Sequence, residues 1–130
     1  MAAVLPSTSP VSPQIDYVAI LASPSGDIGL TATSNADDKV MQLNWQINPS
    51  DKDVDFQLWA ISKRDGEIRS VGVLSDSSAS SLKLTAATWR LVTDAHSLLL
   101  TVEEEGGSAI DEPSEHLLAR GLCVRLTASS

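Results

Sequence analysis

From Ile15 onward the chain runs in short segments with two-residue alternation or β-branched content, each bounded by Gly, Pro, Asn, Asp or Ser. That is the pattern of strands separated by turns. Residues 16–21 (DYVAIL) form the first expected strand. Pro24, Ser25, Gly26 and Asp27 make a turn, because proline presets φ and glycine accepts positive φ. Residues 29–33 should pair back as a hairpin. After a polar turn at 35–38, residues 40–47 place Met41, Leu43, Trp45 and Ile47 on one face and Val40, Gln42, Asn44 and Gln46 on the other. The odd-numbered face should be buried. A turn at 48–51 leads to 55–61 (DFQLWAI), with Phe56, Leu58 and Ala60 on one face and Gln57, Trp59 and Ile61 on the other. Apolar groups on both faces predict a central strand.

Asp65 and Gly66 signal a hairpin into a strand at 68–74. A Ser-rich connection over 75–81 precedes a short strand at 82–84. Thr85 is suited to cap a helix of about two turns over 85–92. Residues 97–103 read as a strand and 106–108 as a turn. A looser crossing through Leu117 and Leu118 leads to a closing strand at 123–127. One short helix among many strands predicts an all-β, β-sandwich-like antiparallel domain over residues 15–130. Residues 1–14 (MAAVLPSTSPVSPQ) carry Pro6, Pro10 and Pro13 among Ser and Thr, which predicts an extended stalk or linker.

Charge and composition narrow the partners. Nine Lys and Arg against 17 Asp and Glu give a net charge of -8, the wrong sign for nucleic acid or an anionic membrane surface. The chain is 42% hydrophobic, enough for one core that buries roughly two-thirds of the unfolded surface. The longest aliphatic cluster is Leu98, Leu99 and Leu100, far short of the roughly 20 residues that cross a bilayer. The start lacks the basic and apolar regions of a secretory signal, so any export signal or anchor is expected to have been removed. Cys123 is the single cysteine, which rules out an intrachain disulfide and a Cys-based zinc site.

Reactive constellations are scarce. Asp51, Asp53 and Asp55 take the first, third and fifth places of a calcium loop, but Phe56 stands where Gly is needed and Ser62 where a bidentate Glu is needed. His96 and His116 are too few for a three-His zinc site. No Gly-x-Ser-x-Gly elbow and no Gly-rich phosphate loop occurs. A carboxylate pair for glycoside hydrolysis stays open, although three Trp, one Tyr and one Phe leave little aromatic surface for a sugar. Cys123 should be a small buried hydrophobe. The expectation is a protein without catalytic residues, cofactor or metal.

Three phrases stand in a telling order: FQLWAI at 56–61, VGVL at 71–74 and LTVEEEGGS at 100–108, with Pro113 shortly after. Together they resemble the extracytoplasmic C-terminal domain of the anti-sigma-K factor family. In that family an aromatic-Gln-Leu-Trp strand leads by a hairpin into a strand with a Gly before an apolar pair. A short Ala-rich helix, a strand ending in Glu, a Gly-Gly-Ser turn and a Pro-containing loop follow. The resemblance covers residues 16–127 and rests on Phe56, Gln57, Leu58, Trp59, Gly72, Glu103, Gly106, Gly107, Ser108 and Pro113. The chain departs from the pattern with Ala109 after Gly-Gly-Ser and with Pro113-Ser114-Glu115-His116 later in the loop.

Each matching residue also has a structural reading. Trp59 suits a core, provided its indole N–H finds a partner. Gln57 shares its face and can bond neighbouring backbone. Gly72 predicts a bulge or the close approach of a large side chain such as a tryptophan. Gly106 and Gly107 predict a turn with positive φ, and Glu103, Glu104 and Glu105 a solvated acidic turn. Ligand stacking is the alternative for Trp59, recognition for Gln57 and a cation site for the acidic run.

The resemblance implies the sensing or protective domain of a membrane-anchored anti-sigma factor. A cytoplasmic N-terminal segment would hold the sigma factor, one membrane helix would connect it to this domain, and a regulatory protease would release the sigma factor on a signal. Neither the inhibitory segment nor the helix is in this chain. Residues 1–14 would then be a juxtamembrane stalk on the periplasmic side. The rival readings are a free-standing secreted or periplasmic module that binds a small molecule or peptide, and a small hydrolase.

Overall fold

Alternating apolar residues need a partner sheet to bury one face, and in this chain the sheet supplies that partner by curling onto itself. A computed structural model describes residues 15–46, 54–74 and 80–126. In order these form β1 (Tyr17–Ala22), β2 (Ile28–Ser34), β3 (Val40–Trp45), β4 (Asp55–Ser62), β5 (Ile68–Leu74), β6 (Ser81–Lys83), α1 (Ala86–Thr93), β7 (Ala95–Glu103) and β8 (Leu117–Arg125). They make one eight-stranded sheet of order β5-β4-β7-β8-β1-β2-β3-β6, antiparallel at each pairing. Its terminal strands β5 and β6 meet, for a Cβ on Gly72 would lie 2.9 Å from Leu82 Cδ2. The all-β antiparallel fold with one short helix is therefore as expected, and the sheet is barrel-like and nearly closed.

The core lies inside the curl. Phe56, Leu58 and Ala60 of β4 and Leu98, Leu100 and Val102 of β7 point inward. Leu21, Leu30, Met41 and Leu43 meet them from the opposite half, and Trp45 packs edge-on against Phe56 with ring centroids 5.6 Å apart. The odd-numbered face of β3 is the inner one, as the alternation required. Helix α1 contributes Val92 to the core, and its Trp89 packs edge-on against Tyr17 at 5.6 Å. A reciprocal capping box starts it: Thr88 N donates to Thr85 Oγ1 at 3.1 Å and Thr85 N donates to Thr88 Oγ1 at 2.8 Å.

Register defines two ends. Tyr17 opposes Ser34 and Arg125, and Ser62 opposes Ala95. The start of β1, the β2–β3 and β4–β5 turns and the end of β8 thus share one end, which we call the entry end. Asp55 opposes Glu103 at the other, from which residues 104–116 leave as the β7–β8 loop.

The last strand starts earlier than its pattern predicts: β8 spans Leu117–Arg125, not 123–127 after a loose crossing, and is central, between β7 and β1. Gly121 disguises it by interrupting the apolar pattern. The sheet requires that glycine, since a Cβ there would sit 1.9 Å from the Ile20 carbonyl oxygen. Strand β7 likewise starts two residues earlier than expected, at Ala95. The predicted stalk at 1–14, the turn at 48–51, most of the Ser-rich connection and the calcium-like Asp51 and Asp53 lie outside the described residues.

Candidate functional site

The outer face of β4 and β7 is where the motif residues converge. In antiparallel register Gln57 opposes Thr101 and Asp55 opposes Glu103, so side chains from both strands alternate onto that face. Trp59 is fully buried there, at 0% exposure, with Gln57, Thr101 and Glu103 beside it also buried. A large ring on the outside of a barrel avoids water only if something covers it and satisfies its N–H. The Trp59 Nε1–H donates to Thr101 Oγ1 at 2.9 Å, and the Thr101 hydroxyl donates to Glu103 Oε2 at 2.5 Å.

The same carboxylate reaches into the β7–β8 loop. Ser114 N donates to Glu103 Oε2 at 2.9 Å, and Ser114 Oγ donates to the Val102 carbonyl at 2.6 Å. Gln57 holds the near side of the loop: its Oε1 accepts from Ser108 N at 2.8 Å while its Nε2 donates to Ser70 Oγ on β5 at 2.7 Å. Asp55 Oδ2 accepts from Gly106 N at 2.7 Å. Ser108 Oγ donates to the Glu112 carbonyl at 2.7 Å and ties the loop to itself. The chain from Trp59 to Ser114 is thus a clasp in which β4 and β7 hold the loop down.

The glycines make the clasp possible. Gly106 and Gly107 have φ of 92° and 93°, where a side chain is strained. Gly106 faces open space, but a Cβ on Gly107 would lie 2.8 Å from Val73 Cγ2 and 3.0 Å from Gln57 Oε1. Gly107 is therefore fixed twice, by dihedral and by space.

Phe56 and Leu58 belong to the inner core, and Pro113, next to Ser114, lines the recess beside the clasp. Gly72 lies apart, at the barrel seam. The register of β4 and β5 does shift beside it, passing from Leu58 opposite Gly72 to Trp59 opposite Ser70. The approaching side chain is Leu82, not a tryptophan. Glu103 also differs from expectation: Glu104 and Glu105 are exposed, but Glu103 is only 7% exposed, because it is the last residue of β7 and faces the clasp. Sequence reading missed Thr101, Ser114, Asp55 and Ser70. Thr101 alone left a signal, standing two residues before Glu103 and so on the same strand face.

Glu103 accepts two hydrogen bonds that stand in for water around a buried carboxylate. Beside the clasp the loop bounds a recess of about 640 Å³ lined by Glu103, Ile110, Glu112, Pro113, Ser114 and His116 among others. His96 lines a second recess, at the entry end, with Cys123. Burial pushes the Cys123 thiol up to about 11, against the pull of Lys63, and its Sγ lies 3.7 Å from the Val92 carbonyl. Among the described residues, no three His, Cys, Asp or Glu side chains are grouped to hold a metal ion, and Ser97 Oγ is the buried side-chain polar atom that lacks a partner.

Comparison with known proteins gives one family. The model of the family described as "Anti-sigma-K factor rskA, C-terminal" matches residues 2–117, ending at the first residue of β8. No curated protein and no solved structure matches.

Proposed function

The chain belongs to the anti-sigma-K factor C-terminal family, and on that premise we propose that it is the extracytoplasmic sensing or protective domain of a membrane-anchored anti-sigma factor. The family makes it an anti-sigma factor C-terminal domain, so the whole protein regulates transcription with a sigma factor as partner. In our reading a segment outside this chain binds the sigma factor, a membrane helix outside this chain anchors it, and signal-triggered proteolysis frees the sigma factor. The domain itself is non-catalytic and holds no cofactor.

The observation that carries this reading is how the motif is used. Gln57, Trp59, Glu103, Gly107 and Ser108 are engaged with one another or with the loop they hold. A motif whose side chains are taken up by one another and by the loop they hold supports a protective fold rather than a reaction site. The test is a pull-down of the sigma factor encoded beside the natural gene. The 130-residue chain should not retain it and the full-length protein should; submicromolar binding by the chain alone overturns the assignment.

The loop recess favours a second reading, a secreted or periplasmic module binding a small molecule or peptide at Glu103, Ile110 and Ser114. A natural reading frame with only a cleavable signal upstream would support it, and a membrane helix there would count against it.

A further inference from the structure

Charge is unevenly distributed along the barrel. Residues 103–115 carry six carboxylates and no Lys or Arg, and they sit with Asp27 and Asp55 at the end remote from the chain's entry. At the entry end acids and cations alternate. Arg64 pairs with Asp94 at 3.4 Å and Arg69 with Glu67, while Asp37, Asp38 and Asp65 occupy the neighbouring turns. Lys63 and Arg125 make no ion pair among the described residues. These two cations and His96 line a recess of about 400 Å³ together with Leu122 and Val124. Those two are exposed by 58% and 47% on the outer face of β8, with Ile20 beside them at 52%. Among the described residues, exposed aliphatic side chains in register on central strands, with two cations outside any ion pair beside them, form an apolar surface without a covering element.

We propose that this flank of the entry end rests on an anionic lipid surface, with Lys63 and Arg125 toward the headgroups and Leu122 and Val124 at their boundary. The inference rests on the membrane-anchored reading above. The net charge disfavours such a surface, and the entry end as a whole carries about as many acids as cations, but Lys63 and Arg125 stand together on this flank outside the two ion pairs. The nine residues of β7 set the acidic loop roughly 30 Å from the entry end, about three Debye lengths at an ionic strength of about 0.1 M. A face-to-face pair of chains would set Lys63 and Arg125 against their own copies, so a second copy suits the surface less well. Residues 1–14 join the domain at this same end. An anchor upstream of Ile15 would keep the flank at high effective concentration near the surface that holds it.

The experiment supplies the tether, so it stands independently of whether the natural protein is anchored. The chain is attached by an N-terminal His-tag to nickel-chelating lipid in nanodiscs carrying gadolinium-labelled headgroups. One set is phosphatidylcholine and the other is one-quarter phosphatidylglycerol. Amide signals of Lys63, Leu122, Val124 and Arg125 should broaden in the anionic discs, while those of residues 104–116 keep their intensity. Each juxtamembrane cation contributes about fivefold in affinity, so Lys63→Glu with Arg125→Glu should lower the broadening at least about tenfold. Glu104→Lys with Glu112→Lys should leave it in place. Equal broadening at both ends, or indifference to the double reversal, overturns the proposal. So does a concentration-dependent shift of the same signals without lipid, which makes the flank a contact between copies.

Discussion

The indole of Trp59 and the hydroxyl of Thr101 meet at 2.9 Å on the outside of the barrel, 42 residues apart in sequence. Because the Thr101 hydroxyl in turn donates a hydrogen bond to Glu103, this contact links a buried ring to the loop that Glu103 holds. Thr101→Val keeps the shape and removes the hydroxyl, leaving the indole donor unpaired. The loss should be about 1–3 kcal/mol, read from urea denaturation, and Thr101→Ser should recover most of it. A valine variant as stable as the parent would show that the hydroxyl does not join the clasp.

Gly106 and Gly107 share a dihedral but not a neighbourhood. Alanine at Gly106 meets only backbone strain, on the order of 1–3 kcal/mol. At Gly107 it must also displace Val73 and Gln57. Thermal melts should therefore rank Gly107→Ala well below Gly106→Ala, and equal melting temperatures would refute the close packing.

Gly121→Ala should be the most damaging single methyl in the described chain, because its Cβ would collide with the Ile20 backbone rather than a movable side chain. Hydrogen exchange should show β1 and β8 losing protection together, with β4 and β5 affected least. Retained protection along β1 would contradict the observed strand pairing.

Cys123 supplies a pH dependence. Its folded value of about 11 lies above the ordinary 9.0 because burial disfavours the thiolate. A raised value means that the stabilising contribution is complete below about pH 9 and is lost as pH rises toward 11. Alkylation of the folded protein should accelerate about two pH units later than alkylation in denaturant. Coincident profiles would mean that the thiol is not shielded.

Much of this was legible in the sequence. Alternation gave the inner face of β3, and Thr85 marked the helix start, because both are local properties. The FQLWAI segment was readable as central because both its faces are apolar. The clasp was legible only as a list of residues. Joining Trp59 to Thr101 depends on the β4–β7 register, and joining Glu103 to Ser114 depends on how the loop turns back, neither of which is encoded locally. Glu103 was misread because a run of three glutamates resembles solvent-facing charge, although strand parity sets the first one on the face that the β7–β8 loop covers. Gly121 hid β8 since the feature that fits it between its neighbours is also what breaks the pattern.

The most direct test of the account measures a sigma-dependent reporter in cells carrying the natural full-length protein with Trp59→Ala. That change should remove about 3–5 kcal/mol from a domain whose total is on the order of 5–15 kcal/mol. The purified variant should melt at a lower temperature and the reporter should be on without any signal, because the opened outer domain exposes the protein to proteolysis. A domain that melts early while the reporter stays off contradicts the protective role. A domain that melts like the parent while some ligand response disappears makes Trp59 a recognition residue instead.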